Sequence, residues 1–153
     1  MIALREVKDA ADMGIFRSIL RVYADEYAGR FSERMTQDLL NLPGRYAPPT
    51  GGLLLANIDG VDAATAAWTR VDDVQAELKR VYVLKDMRGR GAARALSLRV
   101  IDLLRAKGYG RVVLSTWDDN LGAIALYRSI GFVDIAPFKP PTFPNMAFMG
   151  FSL

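Results

Sequence analysis

The chain contains no cysteine and no histidine. Without cysteine there is no disulfide framework, no thiolate metal site and no cysteine acyl-enzyme. Without histidine there is no Ser-His-Asp triad and no histidine-ligated zinc, and no metal site is expected. No stretch approaches the roughly 18 continuous apolar residues of a membrane span. The first residues lack the basic, apolar, small-residue order of a secretory signal. A cytoplasmic protein with no membrane partner is therefore expected. Any catalysis must draw on carboxylates, tyrosine, lysine, serine or backbone dipoles.

What is present fits one domain spanning residues 1–153. The net charge is only +3, but its distribution is uneven. Between Lys79 and Arg111 there are ten basic residues and two acidic ones. This surplus would attract a polyanionic ligand, or it is a solvated helix face. No nucleic-acid-binding motif accompanies it, so a nucleic-acid partner is not expected.

The basic window contains Arg88-Gly89-Arg90-Gly91-Ala92-Ala93. A strand-like run, Leu78 to Leu84, precedes it, and an amphipathic run to Ala106 follows. A strand, a turn with two glycines and two arginines, and a helix make a phosphate cradle. Glycine allows successive N–H groups to converge, and the helix N-terminus adds donors and partial positive charge. The same residues would also serve an ordinary tight connection. The turn is neither a P-loop nor a Rossmann fingerprint: no Gly-Lys-Ser/Thr ends it, and the last Rossmann glycine and the downstream acid are missing.

Ile2 to Val7 reads as an edge strand. Asp9 to Ala28 reads as a helix, with Met13, Phe16, Leu20, Tyr23 and Tyr27 on one stripe. Ser32 could cap a second helix ending near Asn41. Leu42 to Gly44 and Pro48 to Gly52 read as loop. Three strands follow, Leu53 to Ile58, Val61 to Val71 and Gln75 to Leu84, the first two joined by Asp59-Gly60. The helix after Gly91 should bury Ala93, Leu96, Val100, Leu103 and Leu104. Arg111 to Thr116 reads as a strand, and Asn120 to Ile130 as a helix with Ala123, Leu126, Tyr127 and Ile130 on one face. Phe132 to Ile135, a proline-rich loop from Pro137 to Pro144, and a strand from Met146 to Leu153 complete the chain. A strand–helix–strand passage from Gln75 to Thr116 implies a parallel pair. Together these elements imply an α/β fold. Its sheet would be mixed, mostly antiparallel and of about seven strands, with helices on both faces and a cleft where the parallel strands splay.

Arg88-Gly89-Arg90-Gly91-Ala92-Ala93 resembles the pyrophosphate-binding motif of the GNAT superfamily of acyl-CoA-dependent N-acyltransferases. Asn120 through Phe132, with its Leu126-Tyr127 and Gly131-Phe132, resembles that family's second signature. The likeness covers essentially the whole chain. Glu77 to Val83, the loop Leu42 to Pro49 and the tail Ala147 to Met149 resemble a bacterial subgroup of small GNAT proteins. Ala93 stands where many members have glycine, and the proline-rich stretch before Met146 departs from the subgroup's usual loop beside the acceptor site.

The resemblance implies acetyl transfer from acetyl-CoA to a small amine or amino-acid-like acceptor by direct attack. Amides from Arg88 through Gly89, Arg90, Gly91, Ala92, Ala93 and Arg94 would hold the pyrophosphate, and Arg90 and Arg94 could reach the outer phosphate. Val81, Tyr82 and Val83 would pair with the pantetheine arm like an added strand. Glu77 stands where the family often places its general base. Burial could raise its pKa toward the working range, or it acts through water, orients the ammonium, or is salt-bridged to Lys79 or Arg80. Tyr127 matches the family's acid for the leaving thiolate, or is a packing tyrosine. Asn120 contacts pantetheine or caps its helix. Glu77, Arg80 and Tyr46 are candidate acceptor contacts, with Tyr23, Tyr27 and Trp68 further candidates for the pocket wall; each of these four aromatics would equally serve as a core residue. Asp25 and Glu26 could draw in a cationic acceptor or form a solvated face. A β-bulge in this strand, frequent in the family, would change which side chains face the cleft. Two other functions stay open: acetylation of a protein N-terminus or lysine, and a non-catalytic acyl-CoA-binding module. The last strand and the proline loop could support a homodimer.

Overall fold

A computed structural model of the protein describes residues 1–31 and 33–153. Ser32, expected to cap the second helix, lies outside the described residues. Seven strands build one sheet: β1 (Ile2–Glu6), β2 (Gly51–Ile58), β3 (Val61–Arg70), β4 (Gln75–Val83), β5 (Arg111–Trp117), β6 (Val133–Asp134) and β7 (Met146–Ser152), in the order β1-β2-β3-β4-β5-β7-β6. The pair β4–β5 is parallel and every other pair is antiparallel. Among the described residues four α-helices flank the sheet: α1 (Ala10–Glu26), α2 (Glu33–Asn41), α3 (Ala92–Ala106) and α4 (Leu121–Ile130). This is the mixed α/β architecture expected from the sequence.

The sheet separates two cores, and the period-2 alternation of a strand sorts residues between them. In β2, Leu53 and Leu55 face a core with Phe16 and Leu20 of α1, while Leu54, Ala56 and Ile58 face one with Leu96 and Leu104 of α3. A strand buried on both faces needs the continuous apolar run seen here. In α3 the inward positions are Ala92, Leu96, Val100, Ile101 and Leu104; Ala93 and Leu103, expected inside, are half-buried.

Gly51 and Gly52 belong to β2 rather than to the preceding loop. A Cβ on Gly51 would lie 2.8 Å from Arg45 O and closer still to Tyr46 Cα, and one on Gly52 would collide with the Trp68 ring. The glycines let the turn Gly44–Tyr46 pack directly on the strand.

Two irregularities open the sheet. Gln75–Glu77 pairs with Arg111–Val113, and there the β4–β5 ladder ends. Beyond it Leu78–Val83 is paired only on its β3 side. At Arg80 the β3–β4 register shifts, and Arg80 takes a left-handed conformation with φ 55°. A bulge of this kind bends the strand and increases its twist. A non-glycine residue there costs on the order of 1–2 kcal/mol, offset by fixed partners. Thr65 Oγ1 donates to Arg80 O at 2.9 Å, and Arg80 Nε donates to Asp38 Oδ2 at 2.9 Å.

Replacing Gly51 by alanine should push the Arg45–Tyr46 turn off β2. The variant should lose about 2 kcal/mol, measured as a lowered urea midpoint with an unchanged m-value.

Candidate active site

The splay leaves two cavities that share Tyr23 and Trp117. The larger, of about 620 Å³, runs between β4, the turn before α3, and α4. Among the residues expected to hold a cofactor, Val81, Tyr82, Val83, Arg88, Gly89, Gly91, Ala92, Ala93, Arg94, Asn120 and Tyr127 line it. Arg90 does not; it is exposed, with its guanidinium 3.8 Å from Asp59.

The turn has the shape its glycines suggested. Gly89 and Gly91 have φ of 80° and 87°, and Gly91 caps α3 in the left-handed region. The first intrahelical donor is Ala95 N–H, to Gly91 O at 3.0 Å. The amides of Ala92, Ala93 and Arg94 therefore end the helix with no intrahelical acceptor. They stand at the mouth of the cleft with the helix dipole behind them. Arg88 is folded back: its Nε donates to Val83 O at 3.0 Å, and its terminal nitrogen reaches Glu26 at 2.7 and 3.0 Å. Tyr82 OH also donates to Glu26, at 2.5 Å. Arg88 holds the Glu26 carboxyl below its usual value against the opposing effect of burial. Glu26 is thus tied to the turn rather than offered to a cationic acceptor.

Asn120 accepts a 3.4 Å bond from Ala123 N–H, which makes it the cap of α4 while it also borders the cleft. Tyr127 faces the cleft from α4 and is buried. Burial raises its phenol well above the ordinary tyrosine range, with Tyr23 adding to the effect. Its proton is in place at neutral pH.

The smaller cavity, of about 100 Å³, lies beyond Tyr23 and Trp117 and is lined by charge: Arg30, Arg34, Glu77, Lys79, Arg80 and Lys139. Glu77 is buried, 5% exposed, and is the only carboxylate on this wall among the described residues. Lys139 Nζ and Lys79 Nζ reach the same oxygen, Oε2, at 2.7 and 3.2 Å. Among the described residues Oε1 accepts no hydrogen bond. Burial pushes the Glu77 carboxyl up, but the two ammonium groups outweigh it and hold the pKa below its ordinary value. The rise expected for a buried glutamate therefore does not occur. One carboxylate cannot neutralise two ammonium groups, and the more deeply buried one yields: burial brings Lys79 down to about 7, with Arg80, Lys139 and Arg45 adding to the effect and Glu77 opposing it.

The bulge turns Arg80 toward the same cavity, where its guanidinium also lies 5.7 Å from the Phe31 ring centre. Tyr46, expected at the acceptor, is instead buried in the α1-side core. Its OH donates to Asp38 Oδ2 at 2.6 Å, and Arg45 grips the same carboxylate at 2.9 and 3.0 Å. Burial pushes the Asp38 carboxyl up, but Arg45, Arg80 and Tyr46 together hold it below its ordinary value. Tyr46 therefore bears on the cavity only through Asp38 and Arg80. Trp68 is in the α3-side core, in neither cavity, while Tyr27 lines the larger one. Sequence reasoning missed Lys79 and Lys139 as part of this wall, and Asp38 behind it. Nothing periodic marks Lys139 within its proline-rich loop.

A family model described as acetyltransferase (GNAT) family matches residues 16–132. The zebrafish (Danio rerio) N-acetylaspartate synthetase is 36% identical over 111 residues, which cover 71% of this chain and 39% of that protein. The chain therefore spans well under half the length of that relative. An uncharacterized N-acetyltransferase of Schizosaccharomyces pombe is 28% identical over 151 residues, covering 97% of the chain and 93% of its own length. A structure from Salmonella typhimurium, solved with its cofactor acetyl-CoA, superposes with a TM-score of 0.78 at 24% identity, covering 99% of this chain and 94% of the other. No described helix is long and apolar enough to cross a membrane.

Glu77→Gln leaves the buried Lys79 and the half-buried Lys139 without a carboxylate and should cost about 3 kcal/mol. A depressed folded pKa stabilises above the unfolded value of 4.5 and ceases to do so as pH falls through the folded value. The stability gap between wild type and Glu77→Gln, measured by urea unfolding, should thus be full above pH 4.5 and close in more acidic solution.

Proposed function

The chain belongs to the acetyltransferase (GNAT) family, and on that premise we propose that it transfers an acetyl group from acetyl-CoA to the primary amine of a small, amino-acid-like acceptor. The single observation that carries this reading is the junction at Tyr23 and Trp117. It joins a long cleft with a ready anion-binding turn to a small charged cavity. A long phosphorylated donor and a compact acceptor would meet there.

The pyrophosphate sits on the amides of Ala92, Ala93 and Arg94, with Arg88 released from Glu26 to join it. The pantetheine arm lies along the open edge at Val81–Val83 and passes Asn120. Its thioester reaches the splay, where amides on that edge stabilise the developing oxyanion. The acceptor's ammonium donates to Glu77 Oε1 and loses its proton to the Glu77–Lys79 pair, since Lys79 is neutral above about pH 7. The amine nitrogen attacks the thioester carbonyl, a C–N bond forms and the C–S bond breaks. The leaving thiolate takes the Tyr127 proton, and solvent later reprotonates the tyrosine. The products are the amide and free CoA. The size of the acceptor cavity favours a small amine over a protein N-terminus or lysine.

Tyr127→Phe should bind acetyl-CoA as the wild type does and lose about 10²-fold in kcat. In the wild type, kcat/KM should rise to a plateau above about pH 7, where Lys79 becomes neutral. Steady-state kinetics across pH, with CoA release read by a thiol reagent, check both; the protein has no cysteine to contribute background. Undiminished turnover in Tyr127→Phe would remove the tyrosine from the mechanism.

A further inference from the structure

The charges behind the acceptor cavity do not balance. They form two centres. In the first, Lys79 and Lys139 converge on Oε2 of Glu77. In the second, Arg45 and Arg80 converge on Oδ2 of Asp38. Each centre sets two basic side chains against one carboxylate: the Asp38 centre carries a surplus of one positive charge, and the Glu77 centre does so whenever Lys79 is protonated. Four of these six side chains are nearly closed to solvent: Lys79 at 9% exposure, Glu77 at 7%, Arg80 at 11% and Asp38 at 6%. A buried surplus of this kind is costly unless something neutralises it. No described side chain of the chain does so.

Both centres open onto the same small space through Lys79, Lys139 and Arg80. Arg80 commits only Nε to Asp38, so its two terminal nitrogens remain to grip a carboxylate in a fork. Oε1 of Glu77 remains for an ammonium. The cavity thus presents Lys139 with Lys79, the terminal nitrogens of Arg80, and one carboxylate oxygen, Oε1 of Glu77.

We propose that the acceptor is an aminodicarboxylate, one carboxylate held by Arg80 and the other by Lys139 and Lys79, with its amine on Glu77 Oε1. This deepens the acetyltransferase reading and rests on it. A phosphorylated amine would put both negative charges on one centre and leave the other uncompensated. A polyamine would add positive charge to a wall that already has too much. The acceptor's own carboxylates also make Lys79 a better proton acceptor, because they stabilise its ammonium form.

The test uses the whole chain with acetyl-CoA and four kinds of acceptor: L-aspartate and L-glutamate; their amides L-asparagine and L-glutamine; O-phosphoethanolamine; and cadaverine. The acidic pair should exceed the amides in kcat/KM by at least ~100-fold, because an amide leaves a buried cation unpaired. Lys139→Met should collapse that ratio toward one, with a melting temperature near that of the wild type. Turnover of the amides, phosphoethanolamine or cadaverine at or above that of the acidic pair would overturn the proposal while leaving acetyl transfer intact. If no amine turns over, calorimetry of the same compounds against CoA-loaded protein decides. Selective binding of the acidic pair sustains the acceptor class and removes the catalysis; no selectivity overturns the proposal.

Discussion

The ion pair between Asp38 and Arg80 is the constraint on which the site depends. Arg80 sits in a left-handed conformation that an L-residue adopts at a cost. Asp38, itself gripped by Arg45 and Tyr46, holds the guanidinium on one side, and Thr65 binds the carbonyl on the other. In a regular strand Glu77 and Lys79 would share one face and Arg80 would point to the other. The bulge turns Arg80 to the side of Glu77 and Lys79. The same bend accompanies the parting of β4 from β5, which opens the cleft. One local irregularity thus serves both cavities.

The division of labour between the cavities follows from their surroundings. In the proposed function the cofactor side works through backbone: amides at the start of α3 and an unpaired strand edge. Such groups would recognise a phosphate and an extended amide chain with little dependence on side-chain identity. The smaller cavity, proposed for the acceptor, gathers charged side chains from three places, α2, β4 and the loop before β7. Recognition there depends on which charges are present, so acceptor choice can differ among proteins that share the cofactor cleft.

Much of the fold and the lining of the larger cleft was legible in the sequence because its signals are local. Gly89 and Gly91 mark their own positive φ angles, the alternation in β2 marks a doubly buried strand, and the apolar stripe of α4 places Tyr127. The acceptor half was less legible because its partners are far apart in the chain. Lys139 meets Glu77 across 62 residues, and Arg80 meets Asp38 across 42. Nothing near Lys139 or Asp38 distinguishes them from surface charges. Burial of Glu77 was expected to raise its pKa, and two lysines reverse the sign. Tyr46 and Trp68 fit either a pocket wall or a core in the sequence, and both belong to the cores. The basic window also divides in space: Arg88 and Arg94 border the cofactor cleft, while Lys79 and Arg80 turn into the acceptor cavity.

We propose that the turn before α3 binds the phosphates of acetyl-CoA, and the melting temperature with and without that ligand tests this binding. At about a hundredfold excess over the dissociation constant, binding should add roughly 2.7 kcal/mol, a rise on the order of 5–10 °C for a domain of this size. Gly91→Glu places a carboxylate where the pyrophosphate would lie and should abolish the rise, measured from the variant's own baseline. An unchanged melting temperature of the wild type at millimolar acetyl-CoA, or an equal rise in Gly91→Glu, would contradict the account.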